Sequence, residues 1–182
     1  MGIVWIITGS QNSGKTSFIL GLLKQLKEKN LSICGVVSPG VYKNGERIAI
    51  HVMNVETGEE KELATLEPGF DSDYPQKKWK MNHKGTLWGN EILRRCKPRG
   101  KLLVIDEIGI YELWEGKGWQ AGIQIIRARD YKDAILSVRK ETVQPLIQIC
   151  EKGNIPVKII DLDQEKLNLN EIKEEIIKNL DT

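Results

Sequence analysis

The chain has 182 residues, 40% of them hydrophobic and 29% charged, with a net charge of +2. That length suits one α/β domain with a single large core and leaves two domains cramped. The near-neutral balance gives a polyanionic partner no foothold by itself, and no apolar run approaches the ~20 residues of a membrane span.

The N-terminal run Ile3-Val4-Trp5-Ile6-Ile7 is too short for a signal peptide or a span. Met1-Gly2 begins as a myristoylation signal does, but Ile6 stands where that signal requires Ser or Thr. The expected compartment is the cytoplasm. Cys34, Cys96 and Cys150 form no CxxC pair and lack metal-ligand spacing, so three reduced, partly buried thiols are expected.

Ile3 to Thr8 is a continuous apolar run, as in a strand buried on both faces. Thr16 to Lys29 follows as a helix with Phe18, Ile19, Leu22, Leu23 and Leu26 on one stripe. Between them, Gly9-Ser10-Gln11-Asn12-Ser13-Gly14-Lys15-Thr16 matches GxxxxGK[ST] at every specified position. The strand before it and the helix after it are the context that motif needs. Gly9 and Gly14 let the backbone wrap so that successive N–H groups face a phosphate, and the helix presents its positive end to the same anion. Residues 9–17, including Ser17, are the expected nucleotide cradle. Lys15 reaches the β- and γ-phosphates, and the Thr16 hydroxyl suits Mg²⁺.

Ile33 to Ser38 reads as the second strand. Two turn signals follow, Lys43-Asn44-Gly45-Glu46 and Glu56-Thr57-Gly58-Glu59, around the β-like stretch Arg47 to Met53. Asn-Gly between β-formers is a hairpin signal, so an antiparallel hairpin excursion is expected over about 39–84. Pro68 to Lys84 reads as a polar loop. Within and beyond it, Lys77, Lys78, Trp79, Lys80, His83, Lys84 and Trp88 interleave charge and aromatics, as single-stranded nucleic-acid binders do. A solvated loop with one anchoring tryptophan is the plainer reading, and it leaves a nucleic-acid partner with no other support. His51 and His83 are isolated. Thr86 to Cys96 is expected to be helical, with Leu87, Ile92 and Leu93 inward.

Leu102 to Ile105 is a buried strand ending in Asp106-Glu107. An aspartate there holds Mg²⁺ in P-loop NTPases, and Glu107 beside it suits a base that orients the attacking water. Trp119 to Arg129 is a helix, Ala134 to Val138 a strand, Val143 to Cys150 a helix capped by Thr142, Val157 to Ile160 a strand, and Asn170 to Leu180 a helix. Tyr111, Trp114 and Trp119 are expected to pack against the Gly116-Lys117-Gly118 loop. Arg127 and Arg129 face solvent. The alternation gives an α/β fold of three layers with a central, mostly parallel sheet, as one domain over 1–182.

Asp106-Glu107-Ile108-Gly109-Ile110-Tyr111-Glu112-Leu113 resembles the DEIG-x-x-EL signature of a family of small nucleoside-triphosphatases first known from thermophiles. Gly35-Val36-Val37-Ser38, followed by a Gly-containing hairpin, is similar to the same family's second-strand region. The resemblance runs from Ile3 to about Leu180. It implies a RecA-like P-loop fold and Mg²⁺-dependent hydrolysis of ATP, GTP and other nucleoside triphosphates. The family often carries an acidic residue and an arginine in that hairpin, where this chain has Ser38-Pro39-Gly40-Val41-Tyr42-Lys43. In a RecA-like sheet the strand at Ala134 to Val138 ends near the γ-phosphate, which makes Ser137 a candidate sensor and Arg139 a candidate arginine finger.

Two other functions share the P-loop. A nucleotide or small-metabolite kinase needs an arginine-bearing lid, which the sequence does not display. A nucleotide-gated RNA- or protein-binding module draws on the Lys77 to Lys84 stretch.

Overall fold

The computed structural model of the protein describes residues 2–67 and 79–181. The chain enters on β1 (Val4–Thr8), passes through a loop into α1 (Lys15–Glu28) and returns on β2 (Ile33–Val37). The excursion holds β3 (Gly40–Lys43), β4 (Glu46–Asn54), β5 (Glu60–Leu66) and β6 (Trp79–Met81). The alternation resumes with α2 (His83–Arg95), β7 (Leu102–Ile108), a short α3 (Ile110–Leu113) and α4 (Gln120–Ala128). It ends with β8 (Asp133–Val138), α5 (Val143–Lys152), β9 (Val157–Asp161) and α6 (Leu169–Asp181).

These strands form one sheet in the order β6-β5-β4-β2-β7-β8-β1-β9, with β3 also on β4. From β2 to β9 every neighbour is parallel. β1 alternates its side chains between two cores. Trp5 and Ile7 meet Phe18, Leu22 and Leu26 of α1 and Ile176 and Leu180 of α6. Val4 and Ile6 belong with Leu93 of α2, Ile126 of α4 and Leu146 of α5. Each such side chain gains about 1.5–3 kcal/mol from burial, so two apolar faces fix the three layers. Asp133, buried, is satisfied by the Ile3 N–H at 2.8 Å, Trp5 Nε1 at 3.2 Å and Asn179 Nδ2 at 2.7 Å.

β8 lies between β7 and β1. The loops after all three strands therefore emerge side by side at the carboxyl edge, where open α/β sheets bind ligands.

The excursion is larger than one hairpin. Asn44 and Gly45, at φ 52° and 81°, make the expected turn between β3 and β4. β4 then pairs antiparallel with β2 at Val36–Asn54 and Val37–Met53, so the extension continues the parallel sheet. β5 and β6 add further antiparallel strands. Of the expected loop at Pro68 to Lys84, residues 68–78 lie outside the described residues, Trp79–Met81 is a strand, and α2 starts at His83. The Asn82 side chain caps that helix by accepting from the Lys84 N–H at 3.0 Å. Its buried face is Gly85, Gly89, Asn90 and Leu93, whereas Leu87 is 48% exposed. Small residues set this face because α2 lies close on the backbone of β5 and on Trp119.

The thiol expectation needs correction. Cys34 of β2 and Cys96 at the end of α2 are joined as a disulfide, with Cα atoms 6.1 Å apart, and only Cys150 is a free, buried thiol. A separation of 62 residues gives no sequence signal for this pairing; the packing of α2 on β2 creates it. Thr142 precedes α5 but does not cap it. Its hydroxyl donates to the Arg139 carbonyl at 3.0 Å, closing a 3₁₀ turn instead.

Candidate active site

The loop from β1 to α1 winds through left-handed backbone at Gly9 (φ 147°), Asn12 (φ 65°) and Gly14 (φ 92°). At Gly9 a Cβ would come 2.5 Å from Ser13 Oγ, so the turn excludes any larger residue. Lys15 folds back over this loop. Its Nζ donates to the carbonyls of Gly9 at 2.9 Å and Ser10 at 2.7 Å, and lies 3.4 Å from Ser13 Oγ. Those oxygens stand where an anion's oxygens could take over. Burial holds the Lys15 ammonium below its ordinary value; Arg139 adds to this, while Glu107, Asp106 and Asp163 oppose it. Gln11, Asn12 and Ser17 are exposed around the loop.

A brace that no sequence motif signals holds the loop from outside. Asp163, just past β9, accepts from the Ser10 N–H at 2.9 Å and the Ser10 hydroxyl at 3.0 Å. Lys140 pairs with it at 2.7 Å and with Asp161 at 3.2 Å. The Lys140 bond, then those of Ser10, hold the Asp163 carboxyl down at about 2. An aspartate after a last strand carries no motif, so only the β1–β9 pairing reveals it.

Asp106 is fully buried at the end of β7. It accepts from the Thr16 hydroxyl at 2.9 Å, the Ser38 N–H at 3.1 Å and the Ser137 hydroxyl. Burial pushes its carboxyl up, against the pull of those three bonds and of Lys15. Residues 90 apart in sequence thus meet at one oxygen-rich point. The hydroxyl of Ser38, whose N–H meets Asp106, is buried without a partner among the described residues, as is that of Thr8 at the end of β1. Hard oxygen donors of this kind, with spare hydroxyls for a water shell, fit Mg²⁺.

Glu107 breaks the β7 register. Its φ is 62°, the pairing with β8 shifts between Ile105 and Ile108, and its N–H donates to Ser137 Oγ at 2.8 Å. A left-handed non-glycine residue costs about 1–3 kcal/mol and is held only by its surroundings. Burial first, then the Asp106 charge, pushes the Glu107 carboxyl up; Arg47, Arg139 and Lys15 oppose this, in that order. The structure therefore brings Lys15, Thr16, Asp106, Glu107 and Ser137 together. Ser137 bridges the two carboxylate residues. Arg139 is exposed just past β8, within electrostatic reach of Lys15 and Glu107.

Glu112 is a local anchor. It is 9% exposed and accepts from the Gly109 N–H at 2.8 Å and the Trp119 N–H at 2.9 Å. It closes the loop that leads from Glu107 to α4. Of the three aromatics around it, Trp119 is buried, whereas Tyr111 is 51% and Trp114 62% exposed. α3 is only four residues long and turns them outward.

The basic, aromatic stretch is partly seen. Lys77 and Lys78 lie outside the described residues. Arg47 lies over the Trp79 ring at 5.6 Å and Lys61 over Trp88 at 4.7 Å, so the chain's own cations cover a face of each ring. Lys80, His83 and Lys84 are exposed, and His51 contacts Glu60 at 2.9 Å. Arg127 is exposed, as expected, and Arg129 reaches the Asn154 carbonyl at 3.0 Å.

A protein family described as NTPase matches residues 4–177. The chain is 31% identical over 107 residues to the nucleoside-triphosphatase THEP1 of Saccharolobus solfataricus, an alignment spanning 59% of this chain and 60% of that protein. It is 24% identical over 175 residues to the THEP1 of Thermofilum pendens, covering 94% of each. The crystal structure of THEP1 from the hyperthermophile Aquifex aeolicus superposes with a TM-score of 0.69 at 25% identity, over 98% of this chain and 99% of that one. The solution structure of a human cancer-related nucleoside triphosphatase shares the fold, with a TM-score of 0.67 at 23% identity, over 98% and 96%.

Proposed function

This chain belongs to the NTPase family that spans residues 4–177, and we propose that it is a Mg²⁺-dependent hydrolase of ATP, GTP and other nucleoside triphosphates. The observation that carries this reading is the contact between the Thr16 hydroxyl and buried Asp106 at 2.9 Å, with Glu107 turned out of register beside it. That arrangement supports a phosphate loop, a metal-side carboxylate and a base at one point.

Residues 9–17 bind the phosphates through backbone N–H groups, and Lys15 exchanges its carbonyl partners for β- and γ-phosphate oxygens. Thr16 and Asp106 would hold Mg²⁺, which when bound supplies positive charge to those oxygens. Glu107 orients a water in line with the γ-phosphorus and receives its proton. Ser137 fixes Glu107 through its backbone and Asp106 through its side chain. Arg139 adds charge near the γ-phosphate. Broad base acceptance follows from recognition directed at phosphates, which every nucleoside triphosphate shares.

Residues 1–182 act as one domain, supported by the single sheet that runs through both the parallel core and the extension. No helix among the described residues is long and apolar enough to cross a membrane. We place the protein in the cytoplasm.

Phosphate release from ATP, GTP, CTP and UTP tests this reading on wild type, Lys15→Ala and Glu107→Gln. Wild type should turn over several of them. Glu107→Gln should bind nucleotide but lose about 10²–10⁴-fold in turnover, and Lys15→Ala should lose both. A wild type that phosphorylates an acceptor faster than it releases phosphate would reverse the assignment.

A further inference from the structure

Arg47 lies on β4 in the antiparallel extension, opposite Tyr42 of β3. Its guanidinium sits 5.6 Å from the centre of the Trp79 ring. Its Nε is buried and has no hydrogen-bond partner among the described residues. The backbone under it is Gly40, where a Cβ would come 2.8 Å from that Nε. Glycine therefore keeps the arginine's path open. Gly40 is two residues past Ser38, whose N–H holds Asp106 at 3.1 Å. The side chain thus runs from the extension back to the segment that touches the metal-side carboxylate.

We propose that Arg47 is a catalytic residue: an arginine, supplied in cis by the extension, that hydrogen-bonds the γ-phosphoryl oxygens as the β–γ bond opens. The proposal rests on the hydrolase reading above. In that reaction the water oxygen bonds to the γ-phosphorus, and the bond to the bridging oxygen breaks with its electron pair leaving on the diphosphate. The water's proton passes to Glu107 and on to phosphate. Arg47 offers a planar fork of N–H donors matched to phosphate oxygens. A buried guanidine N–H without an acceptor is unfavourable, and an anion brought beside it removes that cost. The Trp79 ring under the guanidinium limits its freedom before the ligand arrives. Arg139 is exposed by comparison.

The test compares wild type, Arg47→Ala, Arg47→Lys and Arg139→Ala. Turnover and KM for ATP are measured beside the Kd for ADP and for a β,γ-imido triphosphate analogue. Arg47→Ala and Arg47→Lys should each lose about 10²-fold or more in kcat, and their ADP affinity should stay within about threefold of wild type. The preference for the triphosphate analogue over ADP should shrink in both. A kcat within about threefold of wild type in Arg47→Lys would overturn the proposal, as would an ADP affinity that falls as far as kcat does. Should Arg47→Ala fail to fold, Arg47→Lys decides, because it keeps the charge and loses the fork. If wild type itself releases no phosphate, the hydrolase reading falls; the analogue-versus-ADP preference then judges Arg47 alone, and full retention of it by Arg47→Lys rejects the assignment.

Discussion

Ser137 is where the chemistry of single residues is most tightly coupled. Its hydroxyl accepts from the Glu107 N–H at 2.8 Å while donating to Asp106. Ser137→Ala would leave one buried N–H without an acceptor and one buried carboxylate oxygen short of a donor. Each such loss costs about 1–3 kcal/mol. The variant should unfold at lower denaturant concentration, and its single-turnover rate should fall while nucleotide affinity holds, because Glu107 is freed from its strained φ of 62°. A loss of stability with an unchanged rate would leave Ser137 a purely structural bridge. The phosphate loop and Asp106-Glu107 are legible in sequence because their spacing is the chemistry. Arg47 and Asp163 are not, since each reaches its place through strand pairing: Arg47 through β4 on β2, and Asp163 through β9 on β1.

At the level of elements, the four-residue α3 depends on Glu112 more than on its own helical propensity. Helices this short do not persist alone, and this one is held where Glu112 accepts from the N–H groups of Gly109 and Trp119 at 2.8 and 2.9 Å. A carboxyl accepts at both oxygens, whereas an amide must turn its NH₂ toward one of those N–H groups. Glu112→Gln should therefore lower stability by about 1–3 kcal/mol in denaturant melts. Burial, opposed by the Trp119 and Gly109 bonds, raises the folded Glu112 carboxyl above its ordinary 4.5. A raised acid contributes stability that is complete below the unfolded value and is lost as pH rises through the folded one. Wild type should thus show a decline in stability above about pH 4.5 that Glu112→Gln lacks; identical pH slopes would reject this role. The long parallel elements are legible because apolar runs and amphipathic stripes set them independently. Hydropathy puts Leu87 on the inward face of α2, yet close packing on β5 and Trp119 selects the face bearing Gly85 and Gly89.

For the whole molecule, β2 is the seam between two parts. It pairs parallel with β7 on one side and antiparallel with β4 on the other. The Cys34–Cys96 bond closes a loop of chain that contains the whole extension, β3 to β6, together with α2. Cross-linking a loop with a separation of 62 residues restricts the unfolded chain by about 4 kcal/mol in the chain-entropy account. Reduction should accordingly cost about 2–4 kcal/mol and should raise amide exchange in residues 40–66 before it does so in β1 or β8, whose bonds lie outside that loop. Thiol counting checks the premise. Burial, with a contribution from Glu151, pushes the Cys150 thiol up to about 11, so the native protein should show no thiol reactive at pH 8. Unfolding without reductant should release one thiol, and unfolding with reductant three. Three thiols without reductant would mean that Cys34 and Cys96 merely touch. The extension would then be held to the parallel core by β2–β4 pairing and the packing of α2 alone.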